Sequence, residues 1–181
     1  MTTYIAILRG INVSGQKRIK MDNLREALAS LGFSDLATYI QSGNIIFKSE
    51  TENCQILQLK INQRIKKGFG FDVPVIIRTL EEWQFMVEQN PFQNQKHIDE
   101  NKLHATFLEE VPVINLGEEM DASMYLPDEF VLRDKTIYVH CPNGYGKTKL
   151  NNMFFENKLK TPATTRNWKT TLKLLAMAKA I

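Results

Sequence analysis

The order of apolar segments in the first 80 residues limits the possible folds more than any other feature of this sequence. Residues 4–13 form an apolar run that predicts a buried strand, and apolar side chains then recur at helical spacing from Met21 to Leu31. Two short strands are predicted at residues 38–41 and 44–47. Ser42-Gly43 between them has the length and chemistry of a tight hairpin.

A second helix and a last strand complete this half of the sequence. The helix has the apolar stripe Cys54, Leu57, Ile61 and Ile65, and Ser49 with Glu52 predicts a capping box at its start. Residues 73–78 read as a strand that includes a proline. The resulting order, β-α-β-β-α-β, is that of the ferredoxin-like split unit.

The second half repeats this order less clearly. Helices are predicted at residues 81–89 and 116–124, after Lys147, and from Trp168 onward; strands are predicted at residues 103–108, 130–132, 137–139 and 161–166. Asp134-Lys135 predicts a tight turn. We therefore predict an α+β chain of two tandem ferredoxin-like (α/β-plait) units, with antiparallel sheets and helices on one face. The predicted domains are residues 1–79 and 80–181.

Composition excludes several classes of protein. A chain of 181 residues can bury a core without disulfides. Its two cysteines, Cys54 and Cys141, predict no disulfide framework, and its three histidines lack metal-ligand spacing, so we expect neither a metal nor another cofactor. No apolar run is long enough to span a membrane, and the first residues do not resemble a signal peptide, so a cytoplasmic location is expected. The oligomeric state stays open.

Basic side chains are concentrated at the two ends of the chain. Residues 1–25 hold five basic side chains against one acidic, and residues 147–181 hold eight against one. If the ends meet, they form a positive surface suited to phosphate or to an acidic partner. Solvated faces are the alternative.

Residues 141–150, CPNGYGKTKL, end like a nucleotide-binding P-loop, G-x-x-x-x-G-K-[ST]. Cys141 stands where the first glycine belongs, and Pro142 removes a backbone N–H that a phosphate cradle uses. We therefore do not predict a P-loop.

Two interpretations of the same loop stay open. Gly144 and Gly146 allow close approach of a ligand, and Lys147 and Thr148 are expected to open a helix whose N-terminus attracts anions. Alternatively, the segment is a glycine-rich turn with Thr148 as the N-cap.

Three further segments resemble ligand-binding loops: residues 9–15, 39–44 and 163–168. Arg9 lies in the predicted apolar strand, where a charge requires either a function or a buried ion-pair partner. Trp168 fits a core position or a stacking platform. The candidate ligand-binding residues are Arg9, Asn12, Gly15, Lys17, Gln41, Ser42, Asn44, Gly144, Gly146, Lys147, Thr148, Thr165, Arg166 and Asn167.

Together, these four segments resemble a bacterial family of about 180 residues known only as domain of unknown function sixteen-ninety-seven. Its marks are an opening like L-R-G-I-N-V-G-G, a Y-I-Q-S-G-N hairpin, a G-x-G-[RK]-[ST]-K-L loop and an A-T-T-R-N-W ending. Here they stand at residues 8–15, 39–47 (where the hairpin continues as I-I-F), 144–150 and 163–168, with Ser14 in place of one glycine. The resemblance implies two tandem ferredoxin-like units and no activity.

Three functions compete at this stage. The first is a module that binds an anionic, phosphate-bearing ligand, either a nucleotide or nucleic acid, in a basic cleft where the four segments converge, with Arg9 within about 20 Å of Lys147. The strands lack the aromatic-rich signature of RNA-binding plaits. The second is an enzyme acting on a small phosphorylated substrate, for which the four segments offer no base or nucleophile. The third is a protein-interaction module.

Overall fold

Two four-stranded antiparallel sheets form the framework in the computed structural model, which describes residues 1–51, 53–114, 116 and 120–181. The strands are β1 (Thr2–Leu8), β2 (Ser34–Tyr39), β3 (Asn44–Ser49), β4 (Val75–Thr79), β5 (Leu103–Leu108), β6 (Glu129–Arg133), β7 (Thr136–His140) and β8 (Ala163–Asn167). The α-helices are α1 (Met21–Ala29), α2 (Cys54–Phe69), α3 (Leu80–Glu88), α4 (Asn152–Leu159) and α5 (Trp168–Lys179). Short 3₁₀ turns lie at Glu100–Lys102, Ala122–Tyr125 and Tyr145–Lys147.

The sheets share one pattern of strand order. The first runs β2-β3-β1-β4 and the second β6-β7-β5-β8, and every strand pair is antiparallel. The prediction of an α+β fold is therefore confirmed, with two antiparallel sheets and, over the described residues, five α-helices. No helix in that part of the chain is both long and apolar enough to cross a membrane.

The chain divides into two compact units. Unit 1 comprises Met1–Phe85 and Lys173–Ile181, and unit 2 comprises Met86–Leu172. The domain boundary predicted after residue 79 stays a prediction, because compactness alone does not show that a unit folds independently.

The core of unit 1 follows from the two periodicities of its sequence. Alternate residues of β1, such as Tyr4 and Leu8, lie on one face and pack in a cluster with the stripe Leu57, Ile61 and Ile65 of α2. Each fully buried leucine or isoleucine contributes about 1.5–3 kcal/mol.

Helix α2 begins at a different cap from the predicted one. Asn53 is the N-cap, and its side-chain oxygen accepts from the N–H groups of Gln55 and Ile56 at 2.9 and 3.2 Å. Ser49 Oγ instead accepts from the Thr51 N–H. The predicted partner Glu52 lies outside the described residues. A nearer asparagine with extended backbone takes the capping position.

The core of unit 2 lies between its sheet and α4. Ile137, Val139, Phe155 and Leu159 are buried there together with Leu116. Leu116 is helical, but four of its neighbours in the predicted helix 116–124 or just before it, residues 115 and 117–119, lie outside the described residues. The described end of that segment is a 3₁₀ turn.

Three predicted boundaries were wrong. The first strand ends at Leu8, not at residue 13, since Gly10 and Asn12 adopt positive φ and break the extended backbone. The β2–β3 loop has four residues, 40–43, because Ile40 leaves the strand at a φ of 50°. The helix expected directly after Lys147 begins only at Asn152.

Candidate functional site

In unit 1, the side chain of Asn12 fastens the loop after β1 to the β2–β3 hairpin. Its Nδ2 donates to the carbonyls of Ile19 and Gln41, both at 2.8 Å, and its Oδ1 accepts from the Ile19 N–H at 2.8 Å. Both amide hydrogens are therefore used within the protein. Asn12 positions the two loops and has no N–H left to offer a ligand.

The hairpin approaches β1 so closely that only glycine fits at position 43. Gly43 has a φ of 78°, and a Cβ there would lie 2.7 Å from Ile11 Cδ1 and 2.8 Å from Leu8 Cβ. Asn44, which is fully buried, donates to the Tyr39 carbonyl and to Ser42 Oγ at 2.9 and 3.0 Å. Ser42 and Asn44 therefore shape the hairpin.

Arg9, Gly15 and Lys17 lie around the same loop. Arg9 follows the end of β1, half-buried, and its N–H donates to the Pro74 carbonyl. Lys17 Nζ donates to the Asp72 carbonyl at 2.7 Å, so its charge is turned toward the α2–β4 loop. Gly15 forms an exposed tip with φ of 76°.

These contacts frame a cleft of about 440 Å³, which we call the unit 1 cleft. It is lined by Asn12, Arg18, Ile19, Lys20, Asn23, Gln41 and Phe69. Arg18 Nε donates to the Gly15 carbonyl at 3.1 Å, and neither Arg18 nor Lys20 makes an ion pair within the described part of the chain. The lining contains two cations and no carboxylate.

Sequence reasoning missed Arg18, Lys20 and Phe69. The signal for the two cations was the basic run Lys17, Arg18 and Lys20 after the segment 9–15, of which only Lys17 was predicted to bind a ligand. Phe69 lies more than 25 residues further along the chain than Gln41, at the end of α2, so its place in the cleft depends on tertiary packing.

In unit 2, Tyr145 fastens the CPNGYGKTKL loop to the sheet. Its hydroxyl donates to Thr165 Oγ1 at 3.0 Å, and its ring stacks on His104 with centroids 4.6 Å apart. Thr165 Oγ1 donates to Asn152 Oδ1 at 2.5 Å and lies 2.7 Å from Thr106 Oγ1. Since Thr165 uses its one hydrogen on Asn152, it has none to donate to a ligand.

The loop itself is a turn rather than the start of a helix. Gly144 has a φ of 94°, residues Tyr145–Lys147 make one 3₁₀ turn, and Thr148 Oγ1 accepts from the Leu150 N–H. The helix α4 is capped by Asn151, which accepts from the Phe154 N–H at 3.0 Å. The predicted anion site at a helix opened by Lys147 and Thr148 therefore lacks its helix terminus.

Lys147 still lines a second cleft, of about 420 Å³. Asn143, Lys149 and Asp128 also line this cleft. Gly146 is exposed within the 3₁₀ turn. The carboxylate of Asp128 offsets part of the positive charge that the two lysines bring.

Arg166 and Asn167 have structural contacts. Arg166 is 8% exposed, donates to Thr164 Oγ1 and the Thr165 carbonyl at 2.9 Å each, and burial lowers its pKa to about 10. Asn167 Oδ1 accepts from the Thr170 N–H at 2.7 Å in the first turn of α5. Trp168 is buried, in agreement with a core position.

The four family segments thus meet in pairs. Residues 8–15 contact residues 39–47 within unit 1, and residues 144–150 contact residues 163–168 within unit 2. Convergence of all four segments in one cleft stays a prediction, as do the ligand-binding roles assigned to their residues.

Comparisons with known proteins agree with this fold. The structure is similar to that of the conserved bacterial protein SP0830 from Streptococcus pneumoniae, with a TM-score of 0.69 and 23% sequence identity over 98% of each chain. Identity this low shows the fold alone. No curated protein matches the sequence with significance.

A family described as "Protein of unknown function (DUF1697)" matches residues 1–138. The match contains the first two family segments and ends before the other two. It covers well over half of the 181 residues, and the chain therefore belongs to the DUF1697 family.

Proposed function

We propose that this protein binds an anionic, phosphate-bearing ligand, a nucleotide or a nucleic acid, in the unit 1 cleft. One observation carries the proposal: Arg18 and Lys20 line the cleft with no carboxylate beside them. Two cations that make no ion pair within the described part of the chain attract an anion and gain hydrogen bonds when it binds.

The remaining groups in the cleft suit a nucleotide better than bare phosphate. Arg18 is held by its Nε–Gly15 bond, which leaves its two terminal nitrogens for a phosphate in a fixed orientation. The side chains of Asn23 and Gln41 offer amide donors and acceptors. Phe69 provides an apolar aromatic wall against which a base can pack.

We also propose that each unit has the ferredoxin-like arrangement. The strand orders β2-β3-β1-β4 and β6-β7-β5-β8 support it, as does the β-α-β-β-α-β order of unit 1. In such a unit the loop after the first strand and the β2–β3 hairpin lie at the same end of the sheet. In unit 1, Asn12 joins this loop to the hairpin at that end of the sheet.

A second candidate, an enzyme acting on a small phosphorylated substrate, requires a base that the four family segments do not supply. One observation favours it: a histidine paired with a glutamate, His97 and Glu129, lies outside those segments. The carboxylate-free unit 1 cleft favours binding without chemistry at that site.

Calorimetric titration with ADP and with a short single-stranded RNA tests the proposal. We expect one of the two to bind, with an affinity that falls as salt rises, because Arg18 and Lys20 displace counterions from phosphate. Arg18→Ala and Lys20→Ala each reduce the affinity by roughly tenfold.

Lys60→Ala is the matched control, since Lys60 is an exposed lysine of α2 that does not line the cleft. The proposal is rejected if neither ligand binds, or if binding is insensitive to Arg18→Ala and Lys20→Ala. Either result favours the protein-interaction alternative.

A further inference from the structure

A different set of residues forms a third pocket, in unit 2, where β6 begins and β7 ends. It has a volume of about 380 Å³, enough for a small metabolite. We call it the histidine pocket. It is lined by His97, Asp99, Lys102, Leu126, Pro127, Glu129, His140 and Pro142.

Two imidazoles in this pocket face the same carboxylate oxygen. His97 Nε2 lies 3.2 Å from Glu129 Oε1, and His140 Nδ1 lies 3.4 Å from that oxygen. The first contact is a hydrogen bond, whereas the second has only the distance of an electrostatic contact. Because Glu129 accepts from His97 Nε2, the hydrogen of a neutral His97 is on Nε2 and its Nδ1 is an acceptor.

His140 is an unusual member of the wall. It is 3% exposed, and neither ring nitrogen has a hydrogen-bond partner among the described residues. A buried polar group without a partner costs stability, and such groups are uncommon outside functional sites. This is a second observation, independent of the His97–Glu129 contact, that marks the pocket as a site.

The charged groups around the histidines differ in availability. Asp99 Oδ1 accepts from the backbone N–H and the side-chain amide of Asn101, and these bonds hold the Asp99 pKa below its usual value. Lys102 makes no ion pair within the described residues. Asp99 is thus held in its turn and interacts electrostatically with Lys102, which is the cation of the pocket.

A metal ion does not fit this arrangement. Within the described ranges, no group of three or more His, Cys, Asp or Glu side chains is placed to hold one. The His97 and His140 ring centroids are 6.5 Å apart, wider than about 5 Å, the spacing expected if both rings bound one ion with the usual short tetrahedral bonds.

We propose that the histidine pocket binds a small hydroxylated anion, such as a polyol phosphate. Lys102 binds the anionic group, His97 Nδ1 accepts a hydrogen bond from a ligand hydroxyl, and Glu129 is a positioning residue that fixes the His97 tautomer. The buried His140 gains its missing hydrogen bond when the ligand enters. The site is separate from the unit 1 cleft and does not depend on the function proposed there.

Histidine NMR on the full-length protein tests both parts of this arrangement. Long-range ¹H–¹⁵N correlations report the tautomer of each imidazole. We expect the Nε2–H form for His97 in the native protein, retained in Glu129→Gln, which keeps an oxygen acceptor, and lost to a mixture in Glu129→Ala. A mixture in the native protein, or no change in Glu129→Ala, overturns the positioning role.

Ligand titrations followed in the same spectra test binding. We expect saturable shifts of the His97 and His140 resonances with glycerol 3-phosphate, and affinities at least about tenfold weaker for ethyl phosphate, which lacks the hydroxyls, and for glycerol, which lacks the anion. Lys102→Ala abolishes saturable binding. Lys96 is an exposed lysine outside the pocket, and Lys96→Ala leaves binding unchanged.

Arg18→Ala separates this site from the unit 1 cleft. The glycerol 3-phosphate shifts persist in Arg18→Ala if the histidine pocket is the site. Loss of the shifts in Arg18→Ala, absence of saturation, or equal binding of ethyl phosphate overturns the proposal.

Discussion

The two units repeat the same backbone contacts and differ in the side chains placed around them. The Leu8 N–H donates to the Gly43 carbonyl and the Leu108 N–H to the Lys135 carbonyl, both at 2.8 Å. The next N–H groups in sequence, of Arg9 and Glu109, donate to the carbonyls of Pro74 and Pro162, both at 3.0 Å.

The charges in these equivalent positions are opposite. Arg9 in unit 1 corresponds to Glu109 in unit 2. The clefts lie at different ends of the two sheets: the unit 1 cleft is at the end where β1 stops, and the unit 2 clefts are at the end where β6 begins and β7 stops. The unit 1 cleft has cations and no carboxylate, whereas the clefts of unit 2 include Asp128 or Glu129. The same backbone contacts therefore lie beside the cleft in unit 1, where we propose anion binding, and at the sheet end away from both clefts in unit 2.

Glycine substitutions give the largest expected contrast between the units. Gly43→Ala is expected to lower the free energy of unfolding by about 3 kcal/mol, because it combines a positive φ with Cβ contacts below 3 Å. Gly144→Ala, which has a positive φ and open space, is expected to cost about 1 kcal/mol. Urea unfolding measures both, and equal losses would contradict the close packing of the unit 1 hairpin.

The second largest expected contrast is in the stability lost when the side chain that holds a loop is removed: Asn12 in unit 1 and the Tyr145 hydroxyl in unit 2. Asn12→Ala removes three hydrogen bonds, one to the hairpin and two within the loop after β1, and is expected to cost about 2 kcal/mol. Tyr145→Phe removes one hydrogen bond but keeps the stack on His104, so about 1 kcal/mol is expected. A larger loss for Tyr145→Phe in urea unfolding would reverse this part of the comparison.

Removing the buried imidazole of unit 2 is expected to stabilise the protein. His140→Leu replaces a buried side chain whose nitrogens make no hydrogen bond among the described residues, so the free energy of unfolding should rise by about 1 kcal/mol while ligand shifts at His97 disappear. Thermal unfolding measures the first effect. A loss of stability in His140→Leu would show that the imidazole has a structural role.

A smaller expected effect is a pH dependence of the free energy of unfolding that comes from His104 in unit 2. Burial lowers the pKa of His104 in unit 2 below 6.5, so the folded state binds a proton less readily than the unfolded chain. The contribution of His104 to the free energy of unfolding is full above pH 6.5 and is lost as pH falls through the lowered pKa. His104→Phe keeps a ring against Tyr145 and should flatten the dependence in urea unfolding below pH 6.5; an unchanged slope would assign the dependence to other groups.

The buried thiol of Cys141 is expected to react more slowly than an exposed thiol. Burial raises the pKa of the Cys141 thiol in unit 2 to about 11. Its labelling by a disulfide reagent at mildly alkaline pH should be about a hundredfold slower than that of an exposed thiol. The rate measured in Cys54→Ser, where Cys141 is the remaining cysteine, checks this. Labelling at the rate of an exposed thiol would mean that the loop after β7 opens.

Local patterns in the sequence predict most of the secondary structure. Strand β5 was predicted with its observed bounds because its apolar run is bordered on both sides by polar residues, and the stripe Leu57, Ile61 and Ile65 gave the buried face of α2. The β2–β3 loop was misjudged because Ile40, a residue that rarely adopts positive φ, leaves the strand early.

The candidate sites are harder to predict because their groups are distant in sequence. His97 and Glu129 are 32 residues apart, and no spacing rule joins them. Motif residues such as Asn12 and Thr165 have the polarity of ligand-binding groups, but their hydrogen bonds are made within the protein. The sequence alone cannot separate these two uses of the same side chains.

Ligand-induced thermal shift in matched single variants tests the contrast between the two units most directly. With ADP at about a hundred times its dissociation constant, the native protein should gain about 2.7 kcal/mol, or roughly 5–10 °C. Our account predicts that the shift falls to about half in Arg18→Ala, because a tenfold weaker affinity leaves ADP at about ten times its dissociation constant, and that it is unchanged in Lys147→Ala. A shift that is unchanged in Arg18→Ala and reduced in Lys147→Ala would place the anion site on the CPNGYGKTKL loop and contradict the account.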